Sequence, residues 1–490
     1  MKKYYITTAL PYVNSSPHLG FALELVQADV LARYHRLLGD KVFFLTGTDE
    51  HGAKIVKSAQ EAKKPVRLFV NTNARKFIQL TKVLNISNDD FIRTTDKKRH
   101  WPAVHKVWLK LQERGDLYKK KYKGLYCLGH EAFITSKDLE GGVCSLHKIK
   151  PEIIEEENYF FRLSKYTSLV KKAIISGKMR VFPEHRAKEI LKLAEEGFED
   201  ISFSRPRKDL KWGIPVPDDP NHTIYVWGDA LVNYISALGY ARNSSTFRKF
   251  WPADVHCIGK DILRFHAAIW PGMLLALGLP LPKTIFVHGF ITSGGQKMSK
   301  TLGNVVDPFE LVNKYGVDAV RYYLLREISP TEDGDFTYER FEERYNADLA
   351  NGLGNLVSRV VALGVKCKSQ IENRKVQSAN RKAQGAKYIN RIWKRYRKAL
   401  DEFRFNDAMS AIWDLISWCD KYINEKKPWE NNDPKVIYNL LFALANIASM
   451  LYPILPQSSE NIFHQLGTSP SAKIWKFKPQ KGGPLFPRLK

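Results

Sequence analysis

The sequence predicts an α/β fold: a parallel sheet split by an insertion and followed by an all-helical domain. Three observations predict it. Short apolar, β-branched and aromatic runs near 4–10, 41–47 and 284–288 read as buried strands, with helix-period stretches between them. Between about 116 and 222 this alternation breaks, and Tyr, Lys and Gly crowd residues 118–126. From about 337 apolar residues recur at spacings of three and four to near the end of the chain. The predicted segments are therefore 1–115 (first half of the α/β domain), 116–222 (insertion), 223–336 (second half) and 337–490 (helical domain).

Composition limits the function. The 490 residues are 44% hydrophobic and 12% aromatic, which suits sizeable cores and excludes a disordered chain. Lys plus Arg number 77 against 51 Asp plus Glu, a net charge of +26 that points to a polyanionic partner. Five Cys at wide spacing form no disulfide scaffold and suit a reducing cytoplasm. The N-terminus has no sustained apolar core, and the most apolar stretch, Ala267–Pro282, is shorter than a membrane span. A cytoplasmic protein with no membrane attachment is expected.

Taken in order, Tyr4–Leu10 reads as the first strand and Phe21–Tyr34 as a helix closed by Gly39. His18 and Gly20 thus fall where a strand hands over to a helix, which in a parallel sheet is the ligand crevice. Helix-start N–H groups favour an anion there, His18 can donate to phosphate oxygens, and Gly20 lets a flat ligand approach. A His before a helix is also a common cap. Lys41–Gly47 is a second strand ending in Thr48-Asp49-Glu50-His51-Gly52, where Asp49 alone reads most simply as a helix cap. A helix is expected over Leu68–Val83.

In the insertion, Cys127-Leu128-Gly129-His130 and Cys144-Ser145-Leu146-His147 repeat a two-residue gap, with 13 residues between the pairs. That spacing and donor set suit a tetrahedral zinc site with no open position, hence a structural one. Ile224–Trp227 reads as a strand and Gly228–Tyr234 as the start of a helix, with core packing as the default for Trp227 and Tyr234. Gly259 and Asp261 fall at another strand end. The Gly-flanked stretch Gly294-Gly295-Gln296-Lys297-Met298-Ser299-Lys300-Thr301 reads as a basic turn. In the helical domain Asn355 and Arg359 lie four apart on one face. Residues 381–400 carry eight Lys or Arg and no acid, as a solvated face or a phosphate-binding face would.

Pro17-His18-Leu19-Gly20-Phe21 and Lys297-Met298-Ser299-Lys300-Thr301, in this order, resemble the HIGH and KMSKS motifs of class I aminoacyl-tRNA synthetases. Gly47–Gly52, the Cys-His pairs, Glu156–Phe161 and Asp200–Arg205 narrow the resemblance to the methionyl-tRNA synthetases, over nearly the whole chain. The resemblance implies a Rossmann-type catalytic domain, a connective insertion with a zinc knuckle, and a C-terminal anticodon-binding bundle. It implies activation of L-methionine by ATP with Mg²⁺ and transfer to initiator or elongator tRNA(Met), by a monomer with no appended domain. The insertion is too small for an editing domain of the isoleucyl, valyl or leucyl kind.

By the same resemblance His18, Lys297 and Lys300 stabilise the transition state, where charge grows on the α-phosphate and the departing pyrophosphate. Gly20, Phe21, Arg205, Gly259, Asp261 and Met298 complete the ATP contacts, although Arg205 reads equally as an ordinary surface residue. Asp49 pairs with the amino group of methionine. Ala9, Leu10, Tyr12, Trp227, Ala230, Tyr234, Ile262 and His266 surround its polarizable thioether. Asn355, Arg359 and Trp429 contact anticodon bases, which need stacking surfaces and planar hydrogen-bonding groups. The zinc ligands are Cys127, His130, Cys144 and His147, with His130 where the family more often has Cys. Two departures stand out. Phe21 replaces the second His of HIGH and cannot donate to phosphate, and Thr301 replaces the final Ser of KMSKS. A nucleotidylyltransferase, another class I synthetase, and an RNA-binding paralogue without catalysis stay open on the residues alone.

Overall fold

The computed structural model describes residues 1–129, 132–134, 136–146, 148–298, 303–371, 385–470 and 475–489. They form two compact units. One comprises Met1–Pro17, Gly39–Lys82 and Ile86–His288; the other comprises His18–Leu38, Val83–Asn85 and Gly289–Lys490.

The first unit is built on a six-stranded, all-parallel sheet in the order Asp90–Arg93, Lys41–Thr48, Lys3–Thr8, Val255–Gly259, Thr284–His288, Arg180–Phe182. Strand order reverses between Lys3–Thr8 and Val255–Gly259. At such a point the loops leave the carboxyl ends of neighbouring strands in opposite directions and open a crevice. These strands are buried on both faces, so Thr7, Thr8, Thr46 and Thr48 are fully enclosed and must find partners inside. The Thr8 and Thr46 hydroxyls bond each other at 2.7 Å.

The insertion forms a separate antiparallel sheet in which Leu117–Cys127 pairs along its length with Glu152–Phe161. Ala132–Ile134 flanks the first of these strands and Ile201–Ser202 the second. The expectation of a strand over Ile224–Trp227 is not met. Asp219–Ile224 is the strand, and Val226–Ala230 is already helical. A short apolar run has no periodicity that separates a strand from a buried helical turn.

In the second unit, helix Leu19–Leu37 is buried on every side from Phe21 to Tyr34, including Glu24, Gln27, Asp29 and Arg33. Its charges are therefore paired internally. Asp29 accepts from Arg33 Nε and Arg321 Nη2, both at 2.8 Å, and Arg321 also donates to the carbonyls of Leu84, Pro453 and Ile454. Asn355–Lys366 continues a helical run through the π-helical segment Tyr345–Gly354, and Ala386–Asp401, Phe405–Lys426, Pro434–Leu451 and Pro456–Leu466 follow. Ile389, Ile392, Tyr396, Ala399 and Leu400 form the buried stripe of Ala386–Asp401, while Lys387, Arg391, Lys394, Arg395, Arg397 and Lys398 are exposed. Among the described residues Pro434–Leu451 is the helix long and apolar enough to cross a membrane, and most of it is buried within the protein. The stretch Ala267–Pro282, expected to be the most apolar, lies instead in two short helical pieces that end at Ala276 and in the loop after them.

Candidate active site and anticodon surface

The crevice of the parallel sheet gathers the residues expected to hold an amino acid. Ala9 leaves the first strand still bonded to Cys257 O at 3.0 Å. The chain then pairs with the end of Lys41–Thr48: Asp49 N donates to Pro11 O at 3.0 Å and Val13 N to Asp49 O at 3.2 Å. Tyr12 and Asp49 are thus fixed side by side through their backbones. Asp49 is 1% exposed, and its Oδ1 accepts from the backbone N–H of His51 and from Thr94 Oγ1, both at 3.4 Å. It does not cap the following helix, whose N-cap is Gly52 with no side-chain bond.

The other wall is aromatic. Trp227 meets Tyr12 edge-on at 6.4 Å between centroids, stacks on Phe265 at 3.8 Å and meets His266 edge-on at 6.1 Å. His266 lies in a π-helical turn, Phe265–Ile269, and its Nδ1 donates to Ile262 O at 3.0 Å. Its Nε2 therefore accepts the Tyr234 hydroxyl proton at 2.7 Å. Burial drives the His266 pKa down to about 4, against the opposing bond to Ile262, so the ring is neutral at pH 7. Behind it His256 is treated alike. Trp270 Nε1 donates to its Nε2 at 3.3 Å and Nδ1 bonds Thr7 Oγ1 at 2.7 Å, while burial and then His266 hold its pKa well below the usual value. Ala230 is buried beside Trp227 on the same short helix, and Leu10 and Ile262 are half-buried. The result is an aromatic wall with a neutral imidazole on one side of the crevice and a carboxylate on the other.

At Gly259 a Cβ would lie 2.8 Å from Asp261 Oδ1, so the missing side chain lets that exposed carboxylate fold over the strand end. Arg205 is not an ordinary surface residue, and its Nη1 is buried without a hydrogen-bond partner among the described residues. Arg205 is 8% exposed, forks onto Glu156 at 2.8 and 2.7 Å, and lies 4.3 Å over the Tyr126 ring.

In the second unit His18 is the N-cap of helix Leu19–Leu37, and its Nδ1 accepts from Gly20 N at 3.1 Å. That bond places the imidazole proton on Nε2. A Cβ at Gly20 would sit 3.0 Å from the His18 ring, so the glycine makes room for the cap. Phe21 is 9% exposed and is a core residue. The basic stretch opens as a hairpin: Ile291–Ser293 pairs with Gln296–Lys297 across Gly294 and Gly295, whose φ values are +61° and +74°. Asp335 steadies it by accepting from Gly295 N and Thr292 Oγ1. Met298 is half-buried; Lys300 and Thr301 lie outside the described residues, as does the side chain of Lys297.

Cys127 and Cys144 share one small buried cluster with Ile134. Each stands at the mouth of a turn: Cys127 faces Ala132 across a hairpin, and Lys148 N returns to Cys144 O at 2.7 Å. His130 and His147 lie outside the described residues. Among the described residues no group of three metal-ligating side chains comes together.

Asn355 is exposed where the π-helical segment ends. Arg359, one turn on, reaches Asp420 Oδ1 and Asn424 Oδ1, each at 3.2 Å. Those acceptors belong to the last turns of Phe405–Lys426, after which left-handed Lys427 turns the chain into Pro428–Asn431. Trp429 on that short helix is 48% exposed, so it is not a core residue. Arg359 and Trp429 thus share one end of the bundle.

Residues 4–145 and 134–361 match the family model for class I tRNA synthetases of the M type. This chain belongs to the class I methionyl-tRNA synthetases. Residues 386–482 match the anticodon-binding domain of tRNA ligases. A methionine–tRNA ligase of Thermotoga maritima is 45% identical over 478 residues, 95% of this chain and 75% of the relative. One from Bacillus subtilis is 42% identical over 519 residues, 99% and 78% respectively. The Mycobacterium tuberculosis methionyl-tRNA synthetase in complex with methionyl-adenylate superposes with a TM-score of 0.90 at 34% identity, covering 100% of both chains. Its apo form gives 0.83 at 32% identity.

As a methionyl-tRNA synthetase the chain is a methionine–tRNA ligase that uses ATP, with a helical anticodon-binding domain. Its sequence motifs do not announce a buried network around Asp229, which accepts from His51 Nδ1 and His100 Nε2 at 2.6 Å each. His100 Nδ1 bonds Ser236 Oγ at 2.8 Å. His51 and Asp229 stand inside stretches that the family resemblance marks, but His100 has no local signal. Only the fold brings it within reach.

Proposed function

We propose that the crevice binds L-methionine with its ammonium on Asp49 and its thioether against Ala9, Leu10, Tyr12, Trp227, Ala230, Tyr234, Ile262 and His266. The observation that carries this reading is the closed chain Tyr234–His266–Ile262. It pairs the Tyr234 hydroxyl and the His266 N–H within the protein and keeps the imidazole uncharged, so an apolar, polarizable side chain suits the crevice and a charged one does not. The methionine carboxylate attacks the α-phosphorus of ATP; the new C–O–P link forms as the bond to the departing pyrophosphate breaks. Gly259 and Asp261 take the adenosine. His18 through Nε2–H, with Lys297 and Lys300, meets the charge that grows on the phosphates. Gly20 holds the His18 cap, Met298 belongs to the same loop, and Phe21 contributes packing rather than a proton. Arg205 braces the insertion through Glu156. A terminal ribose hydroxyl of tRNA(Met) then attacks the methionyl carbonyl and AMP leaves.

Mg²⁺, when bound with ATP, neutralises phosphate charge. Zn²⁺ fits two thiols buried together at paired turns, with His130 and His147 completing the set; it would stabilise the knuckle fold. Asn355, Arg359 and Trp429 read the anticodon, and the exposed cations of Ala386–Asp401 suit its phosphates. The five Cys are buried and none is in a disulfide, which suits a reducing cytoplasm.

The test is amino-acid-dependent exchange of pyrophosphate into ATP, across all twenty amino acids and without tRNA. Exchange with methionine alone supports the pocket and shows that Phe21 is tolerated. Exchange with another amino acid overturns the pocket. No exchange by folded protein that still binds tRNA(Met) supports the RNA-binding paralogue instead.

A further inference from the structure

Two histidines on one buried carboxylate are more than packing requires. Asp229 is 0% exposed, and no water reaches it to share its charge. Burial pushes its pKa up, and the imidazoles of His51 and His100 more than offset this, leaving the carboxyl below its ordinary value. A carboxylate oxygen only accepts, so His51 must present Nδ1–H and His100 must present Nε2–H. His100 Nδ1 lies 2.8 Å from Ser236 Oγ, whose hydroxyl is also within 3.3 Å of Asn233 O. Each imidazole is therefore held with one N–H aimed at Asp229.

The placement of the network gives it a consequence. Asp229 lies between Trp227 and Ala230 on the helix Val226–Ala230. His51 lies two residues after Asp49, and its own backbone N–H donates to Asp49 Oδ1 at 3.4 Å. The His51 ring is boxed edge-on by Trp101 at 6.1 Å and Trp212 at 6.0 Å, and Trp212 Nε1 donates to Glu50 O at 2.6 Å. The loop Asp49–Gly52 is pinned at several points, Asp49 through its backbone to Pro11 and Val13 and Glu50 to Thr94, Arg93 and Trp212, and the bond from His51 to Asp229 joins it to the helix Val226–Ala230. If that bond is lost, the His51 N–H can turn away from Asp49 Oδ1, and the carboxylate loses that hold on its orientation although its backbone stays pinned.

We infer that Asp229, acting through His51, is a positioning residue that aims Asp49 at the substrate's amino group and sets its distance from the side-chain pocket. The inference rests on the proposed pairing of Asp49 with the ammonium. It assigns Asp229 no contact with substrate. Its role is to fix which oxygen of Asp49 is held by the protein, so that amine recognition needs no rearrangement on binding.

The test separates the amine from the rest of the ligand. Binding of L-methioninol and of the same thioether alcohol lacking the amine is measured by calorimetry on the full chain and on Asp229→Asn, His51→Ala and His51→Asn. In the parent protein the amine-bearing ligand binds tighter, by a ratio that reports Asp49. In Asp229→Asn and His51→Ala that ratio falls about tenfold, the scale of a misdirected bond to a charged group, while the amine-free alcohol binds within about twofold of the parent. His51→Asn, whose side-chain amide can stand where Nδ1–H stood, recovers most of the ratio. An unchanged ratio in His51→Ala overturns the inference, and so does equal weakening of both ligands, which is what a merely structural network would give. Should Asp229→Asn fail to fold, the two His51 variants carry the test. A parent protein that does not prefer the amine-bearing ligand overturns the Asp49 pairing itself, and this inference with it.

Discussion

Arg205 and Arg359 both match family positions expected to touch a ligand, yet the structure puts them in opposite circumstances. Arg205 is enclosed, forked onto Glu156 with two bonds under 2.9 Å, and covered by the Tyr126 ring. Arg359 is about one-third exposed and held by two single bonds of 3.2 Å. Releasing the first would leave two bare charges in a low-dielectric interior. Releasing the second exchanges weak bonds for water or for a nucleotide base at little cost. A side chain's availability thus depends on what else holds it, which a motif does not record.

The largest expected effect breaks the committed member. Glu156→Gln should destabilise the protein by about 3–5 kcal/mol, because Arg205 keeps its charge and loses its counter-ion. Replacing both partners by apolar residues of similar volume should restore most of that loss. Chemical denaturation of the three variants checks this. If Glu156→Gln is neutral, Arg205 is available after all and its phosphate role returns.

His266 is committed in the same sense, through burial rather than charge. Its pKa of about 4 in the folded chain lies below the ordinary histidine value near 6.5. The unfolded chain therefore binds more protons as pH falls, and stability contributed by the neutral ring is complete above about pH 6.5 and lost progressively toward pH 4. The difference amounts to about 3 kcal/mol. Thermal unfolding between pH 7 and pH 4 should show it, and His266→Gln should flatten that part of the curve.

The available side chains should show smaller, partitioned effects. Trp429→Ala should lower kcat/KM for tRNA charging by about 1–3 kcal/mol, the value of one stacked base, with the loss falling on charging rather than on pyrophosphate exchange. Equal losses in both assays would place Trp429 outside anticodon recognition. The smallest effect is Asp420→Asn. Burial first holds the Asp420 carboxyl above its ordinary value, and Arg359 opposes this. Removing that partly exposed acid should change stability by less than about 1 kcal/mol and leave tRNA charging equal or slightly better, as Arg359 is released.

Much of the fold was legible because its periods are strong. The buried strands and the helical second half carry clear patterns, and the Cys-x-x-His repeats mark paired turns. The misses have physical reasons. Helix Ala53–Glu61 buries little more than Ile55 and Ala59, so it has almost no apolar stripe to read. Ile224–Trp227 is too short to show a period. Asp49, Tyr12, Trp227 and His266 were legible by resemblance, and the structure brings Tyr12 to Asp49 and both Tyr12 and His266 to Trp227. The tautomers that define the pocket were not legible. They depend on Ile262 O, Thr7 and Trp270, groups whose relation to the imidazoles exists only after the chain has folded.

Helix Leu19–Leu37 shows what complete enclosure means for a lineage. It has no solvent face from Phe21 to Tyr34, and even its charges are assigned: Asp29 to two arginines, Arg33 also to the carbonyl of Asn85. Most helices have a side on which substitutions can accumulate unnoticed. This one has none, so its neighbours must change in step or not at all. In a saturation library scored for growth, its fourteen central positions should form the longest continuous block of intolerance in the second unit, and Asp29 should accept nothing unless Arg321 changes with it.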